Sequence, residues 1–238
     1  MHPFNFLKLA SILMALMALS ACFDSEPKER QAFIDFLNSH YLKQQGGGVA
    51  VLNEKFTKEI GRYVEHHNVF TYYHDETDKL MASSKQGVEN LLKSLNYDNI
   101  EETIASLEKN KEEVAKMLAE NEAAYTKTLA MKNDLKMPDE LKAVYEQAFE
   151  KSVVILHDGV KTLFGQPLDD VFNAKIKLLK FLQNHQDKIK ITGRNRVELD
   201  DQALYAELKP LLADVNDKVK AWEAARREVR NSVRGVSK

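Results

Sequence analysis

The chain has 238 residues, with 34 Lys and Arg against 36 Asp and Glu, a formal charge of −2. So even a balance supplies no field for a polyanion, and no nucleic-acid partner is expected. With 44% apolar and 29% charged residues the chain can bury an ordinary core, and nine glycines and five prolines are few enough to favour helices.

Lys8 precedes an apolar segment from Leu9 to Leu19, small residues follow at Ser20 and Ala21, and the only cysteine is Cys22. About eleven apolar residues fall short of the roughly 20 that a spanning helix needs, so the segment reads as a signal to be cleaved. A plain secretory signal makes no demand for cysteine. Lipoprotein processing does: it attaches a diacylglycerol to a cysteine thiol and cuts in front of it. Leu19-Ser20-Ala21-Cys22 therefore divides the chain into a lipoprotein signal peptide over 1–21, a lipidated N-terminus and short tether over 22–25, and a single helical periplasmic domain over 26–238. Two or three acyl chains, at about 0.8 kcal/mol per buried methylene, suffice to hold such a body on a membrane. With the thiol consumed no disulfide forms, and stability rests on packing.

Ser25 is positioned to cap a first helix over about 26–45, with Pro27 in its first turn and Glu26 and Glu29 at the positive end of its dipole. Phe33, Ile34, Phe36, Leu37, Tyr41 and Leu42 spread over more than one face. Docking into the body's own core is expected ahead of resting on the membrane surface. The run Cys22-Phe23-Asp24, followed by Arg30-Gln31-Ala32-Phe33-Ile34-Asp35-Phe36-Leu37, resembles the start of the YiaF-like lipoproteins, an enterobacterial domain of unknown function. The resemblance implies a Gram-negative envelope protein, and the one functional position it carries over is the acylated Cys22. In enterobacteria an aspartate directly after the cysteine is the usual inner-membrane retention signal. Here Phe23 intervenes before Asp24, so the resemblance favours the outer membrane, facing the periplasm.

Gly46-Gly47-Gly48 ends the first helix, and because Val49-Ala50-Val51 follows in place of a Lys-Ser or Lys-Thr pair, it is a turn and not a phosphate loop. Asn53 opens a long second helix over Glu54 to Leu92, in which Phe56, Ile60, Tyr63, His67, Phe70, His74, Thr77 and Met81 recur at steps of four and three. A third helix runs from Ile100 to about Leu135 with a seam of Ile104, Leu107, Lys111, Val114, Leu118, Asn121, Tyr125 and Thr128 that loses apolar character midway. A fourth, Asp139 to about Phe164, turns Leu141, Val144, Tyr145, Ala148 and Val153 inward, and Gly165-Gln166-Pro167 opens a fifth that ends near Gln186. Between 188 and 199, Lys-Ile-Lys-Ile and Arg-Val-Glu-Leu alternate around Gly193-Arg194-Asn195, which predicts a hairpin with Ile191 opposite Val197 and Lys190 opposite Glu198. The last helix starts near Asp201, with a kink or restart at Pro210. The expected fold is mainly all-α, an elongated antiparallel bundle of about five or six helices with one small β-hairpin.

His66, His67, His74, Asp75, Glu76 and Asp78 are the one cluster that raises a metal question, with His67, His74 and Asp78 as candidate ligands on one helical stripe. His-Glu-x-x-His is absent, so the preferred reading is polar seam residues bonded across the bundle, and neither metal nor cofactor is assigned. No Gly-x-Ser-x-Gly, dinucleotide fingerprint or cysteine nucleophile occurs, and Glu112-Glu113 and Asp169-Asp170 face apart on helices. No catalytic residue follows from these patterns, and the chain reads as a non-enzyme. Arg226, Arg227, Arg230 and Arg234 near the C-terminus suit the negative end of a helix dipole better than an anionic bilayer. The function expected is a structural or interaction role in the cell envelope, with membrane lipid held through Cys22 and an envelope protein as a further partner. A carrier of an apolar ligand or lipid is the alternative, and a metal-dependent hydrolase the remote one.

Overall fold

The structure is a computed structural model that describes residues 25–43, 48–92, 99–192 and 196–233, without the side chains of 84–92, 191, 192, 196, 197 and 233. Cys22, Gly46, Gly47 and the 193–195 turn lie outside these residues. The first helix, α1, spans Ser25–Leu37 and passes into one π-helical stretch, Asn38–Leu42. Phe33, Phe36, Leu37 and Tyr41 are buried against the rest of the body, so α1 docks into the core.

The predicted second helix is divided. Asn53 caps α2, Glu54–Ile60, by accepting from the Phe56 amide at 2.9 Å. Gly61 then takes φ +48°, a 3₁₀ turn follows over Gly61–Tyr63, and α3 continues over Val64–Leu92. That φ is open to glycine and costly for any other residue, so the heptad pattern ran through a break that one glycine makes. Burial on α3 is also wider than a single seam, because Val69 and Tyr73 are buried beside Phe70 and Thr77.

Asn99 caps α4, Ile100–Asp134: its Oδ1 accepts from the Glu102 amide while its side-chain Nδ2 donates to the Glu102 carboxylate. Its inward stripe holds Ile104, Leu107, Val114, Asn121 and Thr128 as expected, but Asn110, Met117 and Ala124 replace Lys111, Leu118 and Tyr125. The seven-residue repeat is kept at Leu107, Val114, Asn121 and Thr128, and the intervening seam position lies one residue earlier than expected throughout, at Asn110, Met117 and Ala124. Lys111 instead reaches Asn173 and Asp169 at the surface.

Helix α5, Asp139–Phe149, a second π-helical stretch, Glu150–Val154, and α6, Ile155–Phe164, form the predicted fourth helix. Helix α7 spans Gln166–Asn184, with Pro167 in its first turn. Two three-residue strands follow, β1 at Lys190–Thr192 and β2 at Arg196–Glu198, paired antiparallel with Lys190 opposite Glu198 and Ile191 opposite Val197. They are a local pair on a chain whose fold class is all-α. Asp201 caps α8, Gln202–Val233, and this helix runs through Pro210 without a restart. Trp222 anchors it, buried with its Nε1–H donating to the Leu163 carbonyl at 2.8 Å.

Two apolar clusters form the core. One gathers α1, the first half of α3, the last turns of α4, and α5; the other gathers the first half of α4 with α6, α7 and α8. Leu156 packs against both. Between them runs a belt of buried polar groups.

Candidate functional site

That belt contains the chemistry-bearing side chains that lie deepest. His157 on α6 accepts at Nδ1 from the Asn121 amide (3.3 Å), lies 3.2 Å from the Tyr73 hydroxyl and turns Nε2 to the Glu122 carboxylate (3.4 Å). Asn121 Oδ1 accepts from Tyr73 (3.2 Å) and Thr77 (3.3 Å). The His157 ring also stacks on Tyr125 at 3.8 Å and 9°. Helices α3, α4 and α6 thus meet through hydrogen bonds where the two apolar clusters abut. Burial in such a place is tolerated because each polar atom finds a partner.

The two π-helical stretches sit beside this belt. Lys151 in the second donates to the Leu42 carbonyl of the first at 2.8 Å. His67 Nε2–H donates to the Ala50 carbonyl at 2.9 Å, with the Tyr41 hydroxyl at 3.1 Å, and its Nδ1 lies 3.3 Å from Thr71 Oγ1. His74 Nε2 turns to Ser152, 3.1 Å from its hydroxyl and 3.3 Å from its carbonyl. One histidine serves each stretch. π-Turns cost helix regularity and persist where tertiary bonds hold them.

His67 and His74 therefore face different partners and do not converge, and Asp78 is felt at His74 only as a nearby charge. Among the described residues no group of three or more His, Cys, Asp and Glu side chains is placed to hold a metal ion. Carbonyl acceptors at His66, His67 and His74 and the Glu122 carboxylate at His157 select the tautomer protonated at Nε2 in all four. Burial holds each of them below the ordinary histidine pKa, outweighing the neighbouring acceptors and carboxylates that pull the other way. Burial likewise pushes Tyr73 up to about 12 and Tyr41 and Tyr145 upward. Burial thus favours the uncharged form of these histidines and tyrosines at neutral pH.

His157 was not among the histidines singled out from the sequence. Its signal was spacing: Val153, His157, Val160 and Phe164 recur at steps of four, three and four, the core face of the helix.

His66 lies apart from the belt, in the wall of a half-open cleft of about 450 Å³ lined by Glu26, Arg62, Tyr63, Glu65, Asp134, Leu135, Lys136 and Pro138. A second cleft of about 380 Å³, between α6 and α8, is lined by Ile155, Asp158, Gly159, Thr162, Glu228, Val229 and Ser232. Charged side chains line both. No helix among the described residues is long and apolar enough to cross a membrane.

A family model described as "Protein of unknown function (DUF3053)" matches residues 9–230. The chain is 28% identical over 178 residues to the "Uncharacterized protein YiaF" of Escherichia coli (strain K12), covering 73% of this chain and 72% of that protein. The protein of the same description from Shigella flexneri matches with the same identity and coverage. No solved structure matches. A match over nearly the whole length, with relatives of the YiaF type, makes the chain a member of the DUF3053 family.

Proposed function

We propose that this chain is a periplasmic lipoprotein with a non-enzymatic structural or interaction role in the cell envelope, cleaved after residue 21, acylated at Cys22 and carried on the outer membrane. The observation that carries the reading is the chain's lone cysteine, standing directly behind an apolar leader and three residues ahead of a helix whose apolar side chains are core. A tether from Cys22 to Ser25 reaches at most about 10 Å. An acyl anchor there would hold the whole body against the bilayer, because α1 cannot move without disturbing Phe33, Phe36 and Leu37.

The body is read as an elongated antiparallel bundle. In support, rising numbers on α3 meet falling numbers on α4 and the residues just after it: His66 bonds the Lys136 carbonyl, Lys127 lies over the Tyr72 ring, and Thr77 bonds Asn121. The polar belt favours a rigid strut over a catalyst, since its groups are spent on each other. A carrier of an apolar ligand calls for an enclosed apolar cavity, whereas the two clefts described are open and lined with charge.

The test is Cys22→Ser in cells labelled with palmitate. Loss of label with an uncleaved precursor is expected; normal cleavage of the variant overturns the lipoprotein reading. Proximity crosslinking with the native protein as bait then identifies its envelope partner, and recovery only of cytoplasmic proteins counts against the role.

A further inference from the structure

Four histidines face inward, and three of them have a carboxylate within electrostatic reach. Glu65 acts on His66, Asp78 and Asp75 on His74, and Glu122 and Asp158 on His157, each favouring the charged ring. His67 has no such partner. It is 3% exposed, edge-on to Phe36 at 5.5 Å and tilted to Phe70 at 6.3 Å. The titratable group beside it from the first π-helical stretch is the Tyr41 hydroxyl, which burial keeps protonated. His40 stacks on Phe36, Lys151 of the second stretch donates to the Leu42 carbonyl, and on α2 Lys55 pairs with Glu59. None of these acts on the His67 ring as a charge: burial and the Ala50 carbonyl are the two influences it feels.

The segment lying against that ring is slight. Residues 48–52 form neither helix nor paired strand. Val49, Ala50 and Leu52 pack, partly buried, on the cluster around α1, while Val51 is 88% exposed, so a single layer of chain stands between His67 and water. Among the described residues, bonds to the Ala50 carbonyl are the only hydrogen bonds that tie 48–52 to the body, and His67 Nε2–H makes one of them at 2.9 Å.

We propose that residues 48–52 are an acid-released strap, which lifts from His67 when that ring takes up a proton and does so before either apolar cluster loosens. In the closed form the protonated ring would be a cation among Phe36, Tyr41 and Phe70, with two neutral acceptors, the Ala50 carbonyl at Nε2 and the Thr71 hydroxyl at Nδ1, and no counterion. Charge would strengthen the Ala50 bond, which opposes release. Burial wins, since it holds the ring below the ordinary histidine value in spite of that bond. Lifting the strap gives the cation to water, where its pKa returns to about 6.5, so the closed form is fully favoured above that value and loses ground as pH falls. Between pH 7.5 and pH 5 the opening equilibrium can rise by at most about 30-fold, the ratio set by an open-state pKa of 6.5. The strap belongs to the body, so the inference stands whatever Cys22 carries.

The experiment uses the full chain, isotope-labelled at its methyl and imidazole groups and followed by NMR from pH 8 to pH 5, with a gadolinium chelate reporting solvent contact. The His67 ring should titrate below pH 6.5, and the Val49 and Leu52 methyls should shift with the same midpoint and relax severalfold faster in the chelate. Leu141 on α5 and Leu178 and Leu179 on α7 should stay unchanged over that range. His67→Gln keeps a donor for the Ala50 carbonyl but cannot charge, and its strap methyls should not respond to pH. Thr71→Asp retains His67 and tests the same claim if the glutamine variant does not fold: a carboxylate at Nδ1 should raise the His67 midpoint above 6.5 and leave the strap closed as the ring charges. A His67 ring that charges while Val49 and Leu52 stand still overturns the proposal. So does a strap that responds equally in His67→Gln, or one that moves only together with Leu141, Leu178 and Leu179 as the whole chain unfolds.

Discussion

Gly61 holds the joint between α2 and α3 in a shape that a side chain would destroy, and Gly61→Ala should cost about 2–3 kcal/mol. The residue sits at φ +48° and ψ −115°, where an L side chain is strained by roughly 1–2 kcal/mol. An added Cβ would fall 2.6 Å from Glu29 Oε2 and 2.8 Å from Oε1, so the carboxylate must leave. That carboxylate accepts from the Arg62 amide at 3.2 Å and from Arg62 Nε at 3.0 Å, tying α1 to the turn. Arg62 is 57% exposed, so the lost pair is worth only about 1 kcal/mol after solvent screening. Stiffening of the unfolded chain by alanine offsets a few tenths. Urea denaturation followed by far-UV circular dichroism gives the number, and a double-mutant cycle separates its parts. In a Glu29→Ala background, Gly61→Ala should cost only the backbone share, about 1–2 kcal/mol. A single variant within about 0.5 kcal/mol of the parent chain, or strict additivity in the cycle, refutes the reasoning.

Four further outcomes are expected, from the same joint, the belt and the anchor of α8. Burial holds His66, His67, His74 and His157 below their ordinary value, so the native state binds fewer protons than the unfolded one; their contribution is whole above about pH 6.5 and is lost as pH falls. The urea midpoint should therefore drop between pH 7 and pH 5, and a flat midpoint across that window contradicts the neutral belt. Burial pushes Glu29 up, but the Arg62 and Ser25 hydrogen bonds outweigh it and hold the group below 4.5, so its share persists above that value and fades only at lower pH. Asn121→Leu strands Tyr73, Thr77 and His157 without their shared partner and should destabilise by about 2–4 kcal/mol in urea; an equally stable variant would mean the belt is not a network. Trp222→Phe deletes the bond to the Leu163 carbonyl and should cost about 1–2 kcal/mol, with no loss counting against Trp222 as the anchor of α8.

Local chemistry made much of the fold readable. The caps at Asn53 and Asn99 act within three residues, and Pro167 fits only a first turn, so helix starts could be placed from the sequence. Polarity midway along α4 was legible as Asn121 and Thr128, although its meaning depended on α6 arriving with His157. The breaks were less visible. Gly61 is by type a weak helix former, but neither its positive φ nor the Glu29 carboxylate packed where a Cβ would stand has a local signature. Glu150-Lys151-Ser152-Val153-Val154 carries no local sign of a π-turn; it is held by Lys151 reaching Leu42 and by Ser152 meeting His74, contacts across 109 and 78 residues. His66, His67 and His74 lie along one helix, and which way each ring turns is decided by carbonyls at Lys136, Ala50 and Ser152, which no local pattern announces.

The anchor is the claim on which address and orientation both depend, and native material decides it. Envelope fractions are solubilised, the protein is captured without overexpression, and the N-terminal peptide is read intact by mass spectrometry. A first residue of Cys22 carrying a diacylglyceryl thioether and, on full maturation, an acylated amine is the expected result. A peptide that begins elsewhere with a free thiol at Cys22 contradicts it.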